Sequence, residues 1–178
     1  HDDADGLVKN YSRKERVVSK GITAPAHAPA WATDRERLWN EVEKVEGQRG
    51  QYARNWTFAL PNELTPEQQH DLVAAFIKRE FVARGMVADW AIHKADKGND
   101  ADNDHVHIMT TVRPFQQDGT WGQKSKTEMV RDKNGKSICI GTDKKGKKRY
   151  KQRKICMTDW NEKSTLLAIR KGWADVCN

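Results

Sequence analysis

Two short apolar segments on either side of a polar loop constrain the fold of this chain most. MVADWAIH (residues 86–93) and HVHIMTTV (residues 105–112) have the composition of strands, and the residues between them are rich in Asp, Asn and Gly. Such a loop favours a turn that returns the chain beside the strand it has just left. The central sheet is therefore expected to be built around this pair of strands.

Helical periodicity marks three further segments. Each begins near a capping residue, and the first two end at a glycine. The last helix is expected to be capped by Thr158 or Asp159. The segments are residues 33–47, 65–85 and 158–178. With YARNWTFAL (52–60) as another strand and NYSRKERVV (10–18) as a candidate edge strand, the order predicts an α+β fold. It consists of a central antiparallel sheet with helices on one face, in a single domain over residues 1–178.

The positive charge is confined to one segment. Residues 123–154 contain 13 Lys and Arg against three acidic residues, a net +10, and the whole chain carries +7, so the remainder is −3. Turn signals at Asn134-Gly135 and Lys145-Gly146 predict that this segment is a basic β-ribbon or arm within the domain. A localised basic block favours a polyanion, most often nucleic acid, although a solvated lysine-rich hairpin would have the same composition.

Membrane and disulfide classes fit the chain poorly. No apolar run approaches the roughly 20 residues of a membrane span, and the acidic N-terminus does not have the character of a signal peptide. The three cysteines contain no CxxC pair, which argues against a disulfide framework and fits a reducing cytoplasm.

Three of the six histidines lie on the two strands at the loop. Side chains alternate along a strand, so His105 and His107 share a face, and His93 joins them if the strands are antiparallel neighbours. Three imidazoles with open positions make a catalytic metal site, whereas a structural zinc site would need a fourth ligand. Asp89 lies on the face of His93 and is expected either to orient a ligand or to make an ordinary interstrand hydrogen bond.

The spacing H-x(11)-H-x-H, with a polar turn ending in Asn before the pair, resembles the three-histidine motif of the HUH endonucleases. The resemblance is closest to the MobA/MobL (MOB-Q type) conjugative relaxases. It extends to DRERLWNEVE, FALPNELTPEQ, RGMVADWAIH, HVHIMTTVRP and RKGWADVCN, and so to most of residues 10–122 and 158–178. The implied fold is an HUH relaxase-like palm.

The resemblance implies a plasmid mobilisation relaxase that nicks one strand at an origin of transfer. His93, His105 and His107 would hold Mg²⁺ or Mn²⁺, which polarises the scissile phosphate, and Arg113 would contact that phosphate. A tyrosine would attack to form a phosphotyrosine link. The partners implied are single-stranded or hairpin origin DNA, relaxosome accessory proteins and a coupling protein, in the bacterial cytoplasm without membrane insertion.

Three positions depart from the family pattern. The nucleophilic tyrosine and the first strand are expected upstream of this chain, because Tyr11, Tyr52 and Tyr150 do not match the nucleophile position. Asn55 stands where many relatives have an acidic residue, and Asp104 stands where a proline often precedes the histidine pair. Glu41 or Glu43 is a weaker candidate for the missing acid, since both suit an exposed helix face.

Candidate DNA contacts are an aromatic platform and a set of cations. Trp121 is the candidate for base stacking, whereas Trp56, Trp90 and Trp160 are expected in the core. The cations expected to contact phosphates are Lys124, Lys126, Lys147, Lys148, Arg149, Lys151, Arg153 and Lys154. The alternative to phosphate binding by Arg113 is a salt bridge at the end of its strand.

Three other functions are compatible with these residues. A rolling-circle replication initiator of the same superfamily would need its tyrosine in a later helix, and none follows Tyr150. A catalytically silent origin-DNA-binding domain would explain the missing nucleophile and Asn55. A metal hydrolase unrelated to DNA is disfavoured by the +10 ribbon.

Overall fold

The computed structural model describes residues 17–95 and 103–178. A four-stranded antiparallel sheet forms its centre, with the strand order β1-β3-β4-β2. Its strands are β1 (Val17–Thr23), β2 (Ala53–Ala59), β3 (Ala88–His93) and β4 (His105–Thr111). The predicted α+β class, the antiparallel sheet and the pairing of the two histidine-bearing strands are confirmed. The candidate edge strand is a strand from Val17 onward, and its earlier residues lie outside the described part.

Three α-helices accompany the sheet. Two of them cover one face of it, where the inward-facing strand residues form the main core with the apolar stripes of the helices. Their bounds, with the first helix, are α1 (Arg35–Glu46), α2 (Pro66–Glu80) and α3 (Lys163–Cys177). Trp56, Trp90 and Trp160 are buried in this core, as predicted. No helix among the described residues is long and apolar enough to cross a membrane.

Helix α1 departs from the prediction that the helices share one face. Its Leu38 and Val42 pack in a second cluster with Val87, which precedes β3 and has the side-chain parity of His93. The helix therefore lies against the histidine-bearing face, at the end of the sheet away from the histidines. The histidine end of that face is therefore not covered by α1.

The ends of two helices also differ from the prediction. Helix α2 begins at the predicted cap, Thr65, which forms a capping box with Gln68, but the helix ends at Glu80, and a short 3₁₀ turn (Val82–Arg84) leads to Gly85. Gly85 has a φ of 83° and lies close to the backbone of residue 115, so only glycine fits there without strain. The apolar pattern continues past the α-helix because Phe81, its C-cap, is buried in the core and Val82 is partly buried beside it.

Neither Thr158 nor Asp159 caps α3, and this prediction was wrong. The N-cap is Glu162, which makes no side-chain cap hydrogen bond. Asp159 instead accepts hydrogen bonds from Thr165 Oγ1 at 2.8 Å and Arg84 Nη1 at 3.3 Å. The helix starts late because Trp160 turns into the core, where it packs against the rings of Trp56 and Phe81.

The basic segment forms the predicted ribbon. Its strands are β5 (Ser125–Met129), β6 (Cys139–Thr142), β7 (Lys148–Tyr150) and β8 (Gln152–Cys156), with β5 paired to β8 and β6 to β7. The two predicted turns are present, and both glycines have a positive φ. The carboxylates of Asp132 and Asp143 accept backbone N–H groups within these turns. Two of the three acidic residues of the ribbon therefore serve its turns.

Candidate metal centre and nucleic-acid interface

The three predicted imidazoles converge at one end of the sheet. His93 is directly opposite His105 in the β3–β4 pairing, and His107 is opposite Ala91, on the same face. The ring centroids of His93 and His107 are 5.1 Å apart, those of His105 and His107 are 4.9 Å apart, and those of His93 and His105 are 5.6 Å apart. The antiparallel register thus brings His93 beside two side chains that are twelve and fourteen residues further along the sequence.

Hydrogen bonds orient two of these rings. His105 Nδ1 lies 3.1 Å from the carbonyl oxygen of Asn103, and His107 Nδ1 lies 3.1 Å from Thr57 Oγ1 on β2. Because a carbonyl only accepts, the first bond requires the proton of His105 to be on Nδ1. That tautomer leaves the lone pair on Nε2, the nitrogen then available to a metal ion.

The donor set suits a divalent metal. Neutral imidazoles are ligands for first-row metals, and three of them leave open coordination positions. Throughout residues 17–95 and 103–178, no three His, Cys, Asp or Glu side chains already have the geometry of a formed metal site. The three rings are thus gathered at one place, but as they stand they do not form a ready set of metal ligands.

Asp104 lies directly behind this cluster, on the helix side of the sheet. Its carboxylate accepts hydrogen bonds from Lys94 Nζ at 2.5 Å, the Ala95 N–H at 3.0 Å and Gln69 Nε2 at 3.2 Å. Burial alone would raise the pKa of the carboxyl, but these bonds and the charge of Lys94 outweigh it and lower the pKa below its ordinary value. Asp104 is therefore held as a carboxylate.

Asp89 makes contacts other than those predicted. It shares the face of His93, but its carboxylate accepts hydrogen bonds from Arg35 Nε at 2.8 Å, Arg35 Nη2 at 2.7 Å and Trp39 Nε1 at 2.9 Å. The bonds to Asp89 raise the pKa of the Arg35 guanidinium. Asp89 thus fastens α1 to β3, and an orienting role toward the histidines has no direct hydrogen bond to support it.

Arg113, the predicted phosphate contact, lies beyond the end of β4 that is away from the histidines. This residue follows the other end of β4, six positions beyond His107, which corresponds to roughly 20 Å along a strand. Its guanidinium donates to Glu46 Oε1 and to the Gly122 carbonyl, each at 3.0 Å. The alternative, a salt bridge at the strand end, is what the structure contains.

The described tyrosines lie away from the histidines. Tyr52 immediately precedes Ala53, which pairs with Thr111 at the opposite end of β4 from His105. Tyr150 pairs with Cys139 in the ribbon. Tyr11 lies outside the described residues. Position 55 lies on the histidine face, where Asn55, Thr57 and His107 line one shallow groove.

The predicted DNA-contact cations fall into two groups. Lys124 is paired with buried Glu46, while Lys126 and Arg153 share Glu128. Bonds from Lys126, and the charges of Lys126 and Arg153, lower the pKa of the Glu128 carboxyl. The others are exposed, and within the described chain no hydrogen bond or ion pair occupies their side chains. They are Lys147, Lys148, Arg149, Lys151 and Lys154.

Trp121 lies at the base of the ribbon and is partly buried. Its ring stacks on Phe115 with a centroid separation of 4.1 Å, and Trp31 lies 6.0 Å away. One face of the indole is therefore occupied by the protein. Base stacking on Trp121 remains a prediction, and it would have to use the remaining surface of the ring.

The model of the MobA/MobL family matches residues 1–178. The chain belongs to the MobA/MobL family. The "Probable mobilization protein MobA" of Bifidobacterium longum (strain NCC 2705) is 32% identical over 189 residues, which cover 100% of this chain and 33% of that protein. The conjugal transfer protein TraA of Agrobacterium fabrum is 38% identical over 145 residues, 72% of this chain and 13% of TraA.

A solved structure has the same architecture. It comes from work on the molecular basis of vancomycin resistance transfer in Staphylococcus aureus. It is 28% identical in sequence, with a TM-score of 0.73 over 99% of this chain and 75% of that one. The MobA/MobL chain described here therefore spans about a third, or less, of the two curated relatives above, but most of the solved one.

Sequence reasoning missed three residues that support the site. Thr57 lies opposite His107 in the β2–β4 pairing, and nothing in the sequence indicates that these two strands are neighbours. In the sequence, Glu46 is one of several acidic residues on a charged helix. In the structure its side chain is 2% exposed, because Arg113 and Lys124 pack against it. The buried network of Asp104 involves Gln69 from α2, a residue whose helical position resembles any polar surface position.

Proposed function

We propose that this chain carries the nicking activity of a plasmid mobilisation relaxase, which cuts one strand of origin-of-transfer DNA at a specific site. The single observation that carries the proposal is the convergence of His93, His105 and His107 on one face of β3 and β4 in a MobA/MobL-family chain. The names of the relatives, which concern mobilisation and conjugal transfer, support the same role.

The imidazoles would hold a divalent ion, Mg²⁺ or Mn²⁺. Such an ion supplies Lewis-acid polarisation of the scissile phosphate when bound. The protein itself fixes the tautomer and the orientation of the imidazoles. The Asn103 carbonyl keeps the proton of His105 on Nδ1, and Thr57 restrains the ring of His107. The face carrying these rings has no α1 residue above it at this end.

The nucleophile in this proposal is a tyrosine that precedes His1. Its hydroxyl oxygen forms a bond to phosphorus, the bond from phosphorus to the 3′ oxygen breaks, and the hydroxyl proton is transferred so that a free 3′-OH leaves. The product is a 5′-phosphotyrosine, which retains the phosphodiester energy for rejoining. The positions of Tyr52 and Tyr150 away from the histidines support an upstream nucleophile.

The ribbon would bind the DNA backbone. Five of the eight predicted contact cations have no side-chain partner among the described residues, and together with the partly exposed Trp121 they suit a single strand or a hairpin. Relaxosome accessory proteins and a coupling protein would be the protein partners. The free cysteines Cys139, Cys156 and Cys177 agree with a cytoplasmic setting.

A silent origin-binding domain is the second candidate, and Asn55 favours it. An amide cannot accept the proton of a tyrosine at neutral pH, and the neighbouring carboxylate on this face, Asp89, is engaged by Arg35 and Trp39. Such a domain would bind origin DNA equally well with and without metal.

Nicking of a supercoiled plasmid that carries the cognate origin tests the proposal. We expect a protein extended to its natural N-terminus to convert the plasmid to the relaxed form with Mn²⁺ and not with EDTA. His105→Ala in the extended protein should abolish the conversion. Origin binding without nicking in any metal would instead identify the silent domain.

Neutralising three ribbon cations should weaken DNA binding. For Lys147→Gln/Lys148→Gln/Arg149→Gln, we expect the slope of log K against log salt to fall by about 2 in magnitude, since each single-strand phosphate contact contributes about 0.7. Fluorescence anisotropy with an origin hairpin measures this. The matched control neutralises Lys78, Lys163 and Arg170, which are exposed but lie on helices. An unchanged slope in the ribbon variant, or an equal change in the control, would remove the ribbon as a DNA arm.

A further inference from the structure

Asp104 connects three strands and a helix directly behind the histidine cluster. Its backbone oxygen accepts the N–H of Leu60, just after β2, at 2.7 Å. Its carboxylate accepts from Lys94 and Ala95, just after β3, and from Gln69 on α2. One residue thus connects β4 to both neighbouring strands and to the helix layer.

The register explains why these bonds are possible. His93 is opposite His105, so Lys94 and Asp104 occupy the next pair beyond the last bridge of β3 and β4. Side chains alternate across the sheet, so Asp104 points toward α2 while His105 points to the open face. The ion pair between Lys94 and Asp104 therefore links the end of β3 to the start of β4, where the loop between them leaves and rejoins the sheet.

The surroundings of Asp104 are built for a carboxylate. Asp104 is 8% exposed, and Gln69, which donates to it, is 1% exposed. Gln69 Oε1 has no hydrogen-bond partner among the described residues. Burying an amide with an unsatisfied oxygen is unfavourable. The free-energy cost of burying Gln69 is offset by the hydrogen bonds that its Nε2 donates to Asp104 and to the Pro61 carbonyl.

We propose that Asp104 is a positioning residue that joins the ends of β3 and β4 and so keeps His93 and His105 in the register in which the three imidazoles meet. This inference rests on the proposed metal role of the histidines.

Cobalt titration of the metal-free protein tests the inference. Co²⁺ bound by imidazoles absorbs in the visible, so affinity and ligand geometry are read together. We expect Asp104→Ala to weaken Co²⁺ binding by about 10- to 100-fold, the range seen when groups that hold metal ligands are removed. Asp104→Asn, which keeps an acceptor for the Ala95 N–H, should lie between Asp104→Ala and the wild type. The matched control is Asp159→Asn, a hydrogen-bonded carboxylate at the other end of the sheet.

Thermal unfolding separates positioning from stability alone. If Asp104→Ala lowers Tm while Co²⁺ affinity and spectrum stay within twofold of wild type, the residue is merely structural and the inference fails. If Asp104→Ala does not fold, Lys94→Met carries the test, because the Lys94 side chain is 47% exposed. We expect Lys94→Met to fold and to bind Co²⁺ at least threefold more weakly, and equal binding would overturn the inference.

A metal-free measurement distinguishes this inference from the proposed function. If the wild type binds no Co²⁺, the proposed metal role fails. The tautomer of His105 then tests whether Asp104 positions this ring. The ¹⁵N shifts of the ring nitrogens report the tautomer, which the Asn103 bond sets to Nδ1–H. We expect Asp104→Ala to mix the two tautomers of His105. Unchanged shifts would show that Asp104 does not position this ring.

Discussion

Replacing His107 by alanine is expected to lower Mn²⁺ affinity by more than about 100-fold, because even groups that only support a metal ligand contribute 10- to 100-fold. The ring of His107 lies 5.1 Å from that of His93 and 4.9 Å from that of His105, so its removal leaves two of the three imidazoles of the cluster. Isothermal titration of the metal-free protein measures the loss directly.

His70→Ala is the matched control for this substitution. His70 is also an exposed histidine, but it contacts Ser19 Oγ at 3.0 Å and the edge of Trp90, away from the cluster. It should bind Mn²⁺ as the wild type does. Equal losses in the two variants, or no loss in His107→Ala, would show that the three rings do not act as one site.

Truncation of Phe76 to alanine should have the largest effect on stability, about 3–5 kcal/mol in the free energy of unfolding. Phe76 on α2 is fully buried, and its ring contacts Phe58 of β2, Phe81 and Trp173 of α3. Removing it opens a cavity where the sheet and both covering helices meet. Urea unfolding followed by tryptophan fluorescence measures the change.

Phe76→Leu provides the comparison at the same position, because it keeps most of the volume and should cost less than about 1.5 kcal/mol. A loss below 1 kcal/mol for Phe76→Ala would mean that α2 is not held to the sheet by this contact. Neither substitution touches the histidine face, so metal affinity in the folded fraction should stay unchanged.

The sheet and the histidine cluster could be predicted because both depend on a period of two. Alternation along residues 86–93 and 105–112 fixes which side chains share a face, and the turn-forming loop indicates that the strands are neighbours. The outcome is the pairing of His93 with His105. The N-cap at Thr65 could be predicted for a similar reason, since a capping residue acts on backbone groups only two or three residues further along the chain.

The sequence did not specify the contacts between residues far apart in the chain. Arg113 follows the metal strand in sequence, yet it belongs to the other end of the sheet, where Glu46 of α1 binds it. Asp89 has the parity of His93, but α1 lies over it and supplies Arg35 and Trp39. Helix α3 starts late because burial of Trp160 outweighs a good capping residue. Each outcome is decided by packing between elements, which local patterns do not specify.

Mapping of the covalent intermediate tests the central claim most directly. A labelled single strand containing the cognate origin is incubated with the N-terminally extended protein and Mn²⁺, and the adduct is digested and located by mass spectrometry. The account predicts a 5′-phosphotyrosine on a residue that precedes His1, present in the wild type and absent in His105→Ala. No adduct and no cleavage with any divalent metal, while the strand is still bound, would contradict it.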